Sequence, residues 1–193
     1  MSVVIAIKYK DGVIMAADKQ ATSGNLKSDN ATKIVQTKYS GLGMGAVGLL
    51  KTCNILEAVN EVVDPEDILS QAPIDKLYVI RKIVPLLFTA FEKYHCLTKD
   101  EDGLQSIHGN LLICSNEKIF STDGIGAVSE HDDFVAIGCG EQLVHGYLST
   151  LNIDYNKLNE NKAIEILATA IEKACKDDVF INDKIDILIL KRA

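Results

Sequence analysis

Two apolar periods alternate along the chain. The first is short and β-branched: Val3-Val4-Ile5-Ala6-Ile7 and Val13-Ile14-Met15-Ala16-Ala17 flank Asp11-Gly12, a strong hairpin signal, and Asp18 closes the second strand. A polar loop, Lys19 to Thr32, leads to Lys33 and the strand Ile34-Val35-Gln36-Thr37. After a turn at Lys38 to Gly41 comes a small-residue strand, Leu42 to Gly48, whose glycines point to close approach by another backbone or a ligand. Helical spacing then takes over from Leu49 to Val63 and ends at Asp64-Pro65, with Asp64 to Asp67 able to cap a short further turn. Pro73 precedes a second helical pattern, Ile74 to Leu97, inside which Pro85 predicts a kink or a break. Beyond the charged loop Lys99 to Gly103, strands are predicted at Ile107 to Cys114, Lys118 to Ser121 and Phe134 to Ile137, punctuated by Asp123-Gly124 and Glu130 to Asp133. Gly138-Cys139-Gly140-Glu141 opens onto a helix over Gln142 to Leu151, a second amphipathic helix spans Asn161 to Lys176, and Ile185 to Leu190 is a final strand.

Strands, two helices, strands, two helices and a strand do not make the steady alternation of a doubly wound parallel sheet. The order suits an α+β fold of two antiparallel sheets stacked face to face with helices outside both. At 193 residues the chain is read as one domain, 1–193, with a sizeable core.

Composition narrows the function classes. Apolar residues make up 47% and charged residues 24%, ordinary for a globular protein. No apolar run reaches the length of a membrane span and no secretory signal precedes the first strand. The net charge of −7 argues against nucleic acid and anionic membranes as partners. The five cysteines are scattered, without a Cys-x-x-Cys pair, and the four histidines are dispersed, so neither a metal nor any other cofactor is expected. Reduced thiols in a cytoplasmic setting are the expectation.

The chemistry concentrates near the start. Once Met1 is removed, Ser2 carries a hydroxyl beside its own α-amine, whose ordinary pKa of about 7.7–8.0 lets it act as a base near neutrality. Taken singly, Asp18 is a turn former, Lys33 a surface lysine, Cys139 a small buried residue and Asp178 a loop carboxylate. In combination they say more. Ser2-Val-Val-Ile-Ala, Lys10-Asp-Gly-Val-Ile-Met-Ala-Ala-Asp18, Ala21-Thr-Ser-Gly-Asn25 and Asn30-Ala-Thr-Lys33-Ile resemble the opening of a proteasome β subunit and of the related HslV protease. Ser2 stands in the threonine place, Asp18 in the acidic place and Lys33 in the lysine place, after a loop one residue shorter than in typical members. The match is dense before residue 48 and extends in outline over the whole chain.

The resemblance implies the four-layer αββα sandwich of N-terminal nucleophile (Ntn) hydrolases. It also implies a threonine-type peptidase with serine as nucleophile. Ser2, Asp18, Lys33, Cys139 and Asp178 are then the catalytic set. Ala21, Met44, Gly45 and Ala46 are the oxyanion and substrate-binding set, with the donor near Gly45-Ala46 and Met44 at the pocket base. Two positions depart from the family pattern: Cys139 replaces a serine in Gly-Ser-Gly, and Ile181-Asn182 replaces a serine and glycine after Asp178. The substrate expected is a peptide or unfolded protein, inside a homo-oligomeric ring of β-type chains, with an ATPase unfoldase or an α-type ring as possible partner. The departures leave two alternatives: an Ntn amidase or peptide ligase of narrow range, and a catalytically silent ring subunit.

Overall fold

A computed structural model describes residues 2–38, 42–59 and 74–192. Within it, β1 (Val3–Tyr9) and β2 (Gly12–Asp18) pair antiparallel across the Asp11-Gly12 turn, with Val4 opposite Ala17 and Tyr9 opposite Gly12. The polar loop after Asp18 contains a small hairpin that the sequence pattern did not signal: β3 (Ala21–Ser23) and β4 (Leu26–Ser28). Next come β5 (Ile34–Gln36), β6 (Leu42–Ala46) and helix α1 (Leu50–Val59). The expected turn at 38–41 lies partly, and the helical stretch beyond 59, the Asp64-Pro65 stop and Pro73 wholly, outside the described residues.

Lys76–Tyr78, Val79–Ile83 and Val84–Lys93 follow one another directly and together form α2. The expected disruption at Pro85 takes a mild form. One turn widens so that the Val84 N–H bonds the Val79 carbonyl, five residues back, and Pro85 sits in the first turn of the segment that follows. Proline lacks an N–H and crowds the carbonyl four residues before it, and a widened turn relieves both problems without breaking the rod.

The charged loop folds into a two-stranded ribbon, β7 (Thr98–Lys99) and β8 (Gln105–Ser106). Then come β9 (Leu111–Ser115), β10 (Ile119–Thr122), β11 (Val128–His131) and β12 (Phe134–Gly138). Strand β11 runs into the punctuation expected at Glu130 to Asp133; its polar residues lie on an edge strand, where alternation is weak. Helices α3 (Glu141–Thr150) and α4 (Glu160–Asp177) and strand β13 (Ile185–Lys191) complete the chain. The Asn159 carboxamide oxygen caps α4 by accepting the Lys162 N–H at 2.9 Å.

One sheet runs β12-β1-β2-β13, the other β11-β10-β9-β6-β5, and the pairings within both are antiparallel. Burial confirms four layers, because the described core divides into three apolar zones. Val4, Ala6, Met15, Leu112 and Ile137 lie between the sheets. Val3, Ile5, Ile14, Leu167 and Ile171 lie between the first sheet and α3/α4. Leu42, Met44, Leu56, Leu87 and Phe91 lie between the second sheet and α1/α2. Successive residues from Val3 to Ile7 of β1 alternate between two buried zones, so this stretch is continuously apolar. Gly43 and Gly45 face the inter-sheet zone. A Cβ on either would come within 3 Å of side chains from the facing sheet, the Met15 sulfur against Gly43 and Val4 against Gly45. These glycines therefore admit apolar side chains from the facing sheet rather than a ligand or another backbone.

Candidate active site

The site lies where the start of β1, the end of β2 and the start of β5 meet. Pairing of β1 with β2 sets Asp18 beside Val3, and the Asp18 carboxylate is used in full. Oδ1 accepts the Val3 N–H at 2.9 Å and the Lys33 ammonium at 2.7 Å, while Oδ2 accepts the Gln20 N–H at 3.0 Å. Asp18 is completely buried and Lys33 is 3% exposed. One oxygen thus holds the amide next to Ser2 on one side and the ammonium of Lys33 on the other. Ser2, itself buried, shares a cleft of about 410 Å³ with Lys33.

Lys33 reaches this place because β5 pairs with β6: its carbonyl accepts the Ala46 N–H at 3.0 Å, fixing the backbone from which the side chain projects. Burial pushes the Lys33 pKa below the ordinary lysine value, and the charge and hydrogen bond of Asp18 oppose that fall. A buried ammonium with one carboxylate partner is suited to lowering the cost of charge on a neighbouring oxygen.

Two close backbone approaches border the site, one at Ser2 itself and one at Gly48. Gly138 has φ +104°, and a Cβ there would lie 2.1 Å from the Ser2 carbonyl oxygen. Gly48 has φ +106°, and a Cβ there would lie 1.8 Å from the His108 carbonyl oxygen. Only glycine tolerates both the left-handed conformation and the approach. Cys139, next in sequence, donates its thiol to the Ser2 carbonyl with Sγ 3.4 Å away. Its pKa is pushed up to about 11, first by burial and then by the hydrogen bond and charge of Asp178. Asp178 follows α4 and accepts the Phe180 N–H at 2.9 Å. Ile181 is buried, and its methyl presses on Gly140 beside Val3. Apolar packing therefore occupies the place where the family pattern has a serine.

Ser2, Asp18, Lys33, Cys139 and Asp178 thus come together, and Ala21 lines the cleft. The other binding-set residues are placed differently. Met44 is fully buried under α1 and α2 and does not line the cleft, because the pleat of β6 turns it away. Gly45 faces the other sheet, and the Ala46 N–H is spent on the Lys33 carbonyl. The Val47 N–H is likewise bonded, to the Asn110 carbonyl. Gly48, just past the ladder, lines the cleft on both sides of Ser2. Among the described residues its N–H has no main-chain acceptor. Leu50 and Cys53 supply the apolar lining expected of Met44. Burial pushes the Cys53 thiol up to about 11, although the charge of Lys33 opposes the shift. Sequence reading missed Gly48 and Cys53. The signal was there, in a glycine directly after an apolar strand and a small residue in the first turn of the following helix.

The chain is similar to known proteins along most of its length. Residues 2–61 and 106–190 match the family described as Proteasome subunit. The proteasome subunit beta of Nanoarchaeum equitans is 32% identical over 201 residues, covering 100% of this chain and 94% of the relative. The proteasome subunit beta 2 of Thermofilum pendens is 24% identical, covering 98% and 88%. Among solved structures, the eukaryotic HslV of Trypanosoma brucei superposes with a TM-score of 0.68 at 22% identity, covering 98% of this chain and 99% of that one.

Proposed function

The chain belongs to the proteasome subunit family, β type, and on that premise we propose that it is an N-terminal serine peptidase working as a single β-type domain, 1–193, within a ring. The observation that carries this reading is the shared Asp18 oxygen, which holds the Lys33 ammonium against the backbone next to Ser2.

Removal of Met1 frees the Ser2 α-amine. That amine takes the proton from Ser2 Oγ as the oxygen attacks a peptide carbonyl, and later returns it to the departing amine. Lys33 lowers the cost of the alkoxide, and Asp18 keeps Lys33 charged and aimed. The Gly48 N–H is assigned as donor to the tetrahedral oxyanion, in place of the ladder-bonded Ala46. Water then releases the acyl group. A ring would restrict access to substrates threaded by an unfoldase or an α-type ring, in a cytoplasmic setting. Among the described residues no helix is long and apolar enough to cross a membrane.

The test is intact mass of the protein treated with an electrophilic peptide. Loss of Met1 and one adduct on Ser2, absent in Ser2→Ala, is the expected result; an undiminished adduct in Ser2→Ala refutes Ser2 as nucleophile. Cys139 and the apolar Ile181, which stand where the family pattern has serines, favour a second reading, an amidase or ligase of narrow range. Products formed with an added amine separate ligation from hydrolysis, and retention of Met1 in the native host marks a silent ring subunit.

A further inference from the structure

The cleft beside Ser2 carries a charge opposite to that of the chain as a whole. The protein has a net charge of −7, yet among the described residues the only ionised side chains lining the cleft are Lys27 and Lys33. Lys33 is neutralised by Asp18 at 2.7 Å. Lys27 stands on β4 and forms no ion pair among the described residues; its charge reaches Asp29 only as the smallest of the influences on that carboxylate. Its ammonium donates to the Val179 carbonyl at 2.8 Å, which leaves two N–H donors. The carboxylate nearest in sequence, Asp29, is engaged by Lys184 and Asn182, both at 3.1 Å. The Gln20 carboxamide nitrogen, beside Lys27, bonds the same Val179 carbonyl at 2.9 Å and Thr22 Oγ1 at 3.3 Å, which fixes that wall. The rest of the lining includes the hydroxyls of Thr22, Ser23 and Ser28 and the apolar side chains of Ala21, Leu26, Leu50 and Cys53.

We infer that this cleft selects an acidic side chain, Asp or Glu, on the substrate, and that Lys27 is the residue that determines the choice. The methylenes of such a side chain lie against the apolar lining, and its carboxylate meets the Lys27 ammonium and the neighbouring hydroxyls. A concave wall of one sign, partly shielded from water, strengthens that attraction relative to open solution. A basic side chain would face the Lys27 ammonium, and an aliphatic one would leave the hydroxyls of the lining facing apolar surface. The inference deepens the peptidase reading and rests on it for the cleft's role.

Binding tests the choice independently of catalysis. Fluorescently labelled peptide amides that differ only in their last residue, Glu, Gln, Leu or Lys, are titrated against the Ser2→Ala protein by fluorescence polarisation at low salt. The Glu peptide is expected to bind about tenfold more tightly than the Gln peptide, or about 1.4 kcal/mol. The preference is expected to disappear in Ser2→Ala/Lys27→Met and to shrink as salt is raised. Tighter binding of the Leu peptide, no discrimination among the four, or a Glu preference that survives Lys27→Met overturns the inference. Failure of the Ser2 adduct in the intact-mass experiment would instead overturn the peptidase reading and leave this binding result standing.

Discussion

Replacing Lys33 with methionine is the most informative perturbation of the buried pair. The side chain is of similar length, so the change removes charge more than volume. It leaves the Asp18 carboxylate fully buried, with the Val3 and Gln20 N–H groups but no cation. Stripping one partner from a buried ion pair costs about 3–5 kcal/mol, because the remaining charge is neither hydrated nor compensated. For a chain of this size each kcal/mol shifts the melting temperature by about 2–4 °C, so Lys33→Met should lower Tm by roughly 6–20 °C at pH 7. The chain has no tryptophan, so calorimetry is the natural assay. Asp18→Asn has a different cost: one amide oxygen can accept from one N–H, while the NH2 group faces the other. In the double variant no charge is buried, and the losses should fall short of their sum by about 2 kcal/mol. A Tm drop below about 2 °C for Lys33→Met, or strict additivity in the double variant, would refute the claim that this pair is buried and mutually dependent. Labelling of Ser2 in each folded variant then separates the ion pair's part in chemistry from its part in stability.

Two further outcomes follow from the same geometry. Gly138→Ala forces a Cβ toward the Ser2 carbonyl at a left-handed φ, so it should cost about 2–4 kcal/mol in stability and abolish Ser2 labelling; a well-folded variant labelled at the normal rate contradicts the close approach. With its pKa pushed from 9.0 up to about 11, the partly buried Cys139 thiol, which remains reachable from solvent, should hold about a hundredth of the thiolate of an ordinary cysteine at pH 8. Its alkylation, followed by peptide mass spectrometry, should rise with an inflection near pH 11. The sign for stability is the same: the folded state holds this proton more tightly, so the contribution is complete below pH 9 and is lost as pH rises through about 11. An alkylation inflection near 9 would contradict the burial and the Asp178 contact.

The first half of the site was legible in the sequence because it is built from local pattern. Asp-Gly between β-branched runs dictates the β1–β2 hairpin, and a hairpin's register sets Asp18 beside Val3 without help from the rest of the chain. Period likewise separated helices from strands over most of the described chain, and the order of elements implied two sheets between helical layers. What failed was whatever depends on which way a strand faces. Met44 and Gly45 are neighbours on β6, and their spacing cannot tell which looks toward α1 and which toward the other sheet. Short, polar edge strands such as β4 and β11 carry too few apolar residues to show a period, and pairing alone makes them strands.

By itself, the order of residues determined the hairpin, the alternation of apolar strands and helices, and the presence of a hydroxyl, a carboxylate and a lysine at particular places. Only the tertiary structure decided that residue 33 reaches Asp18, that Gly48 rather than Ala46 lines the cleft, and that Lys27 borders it with no ion pair among the described residues. The physical reason is that backbone hydrogen bonds and side-chain period are settled between near neighbours. Burial, and the pairing of charges that burial enforces, is settled only when sheets from distant parts of the chain close on one another.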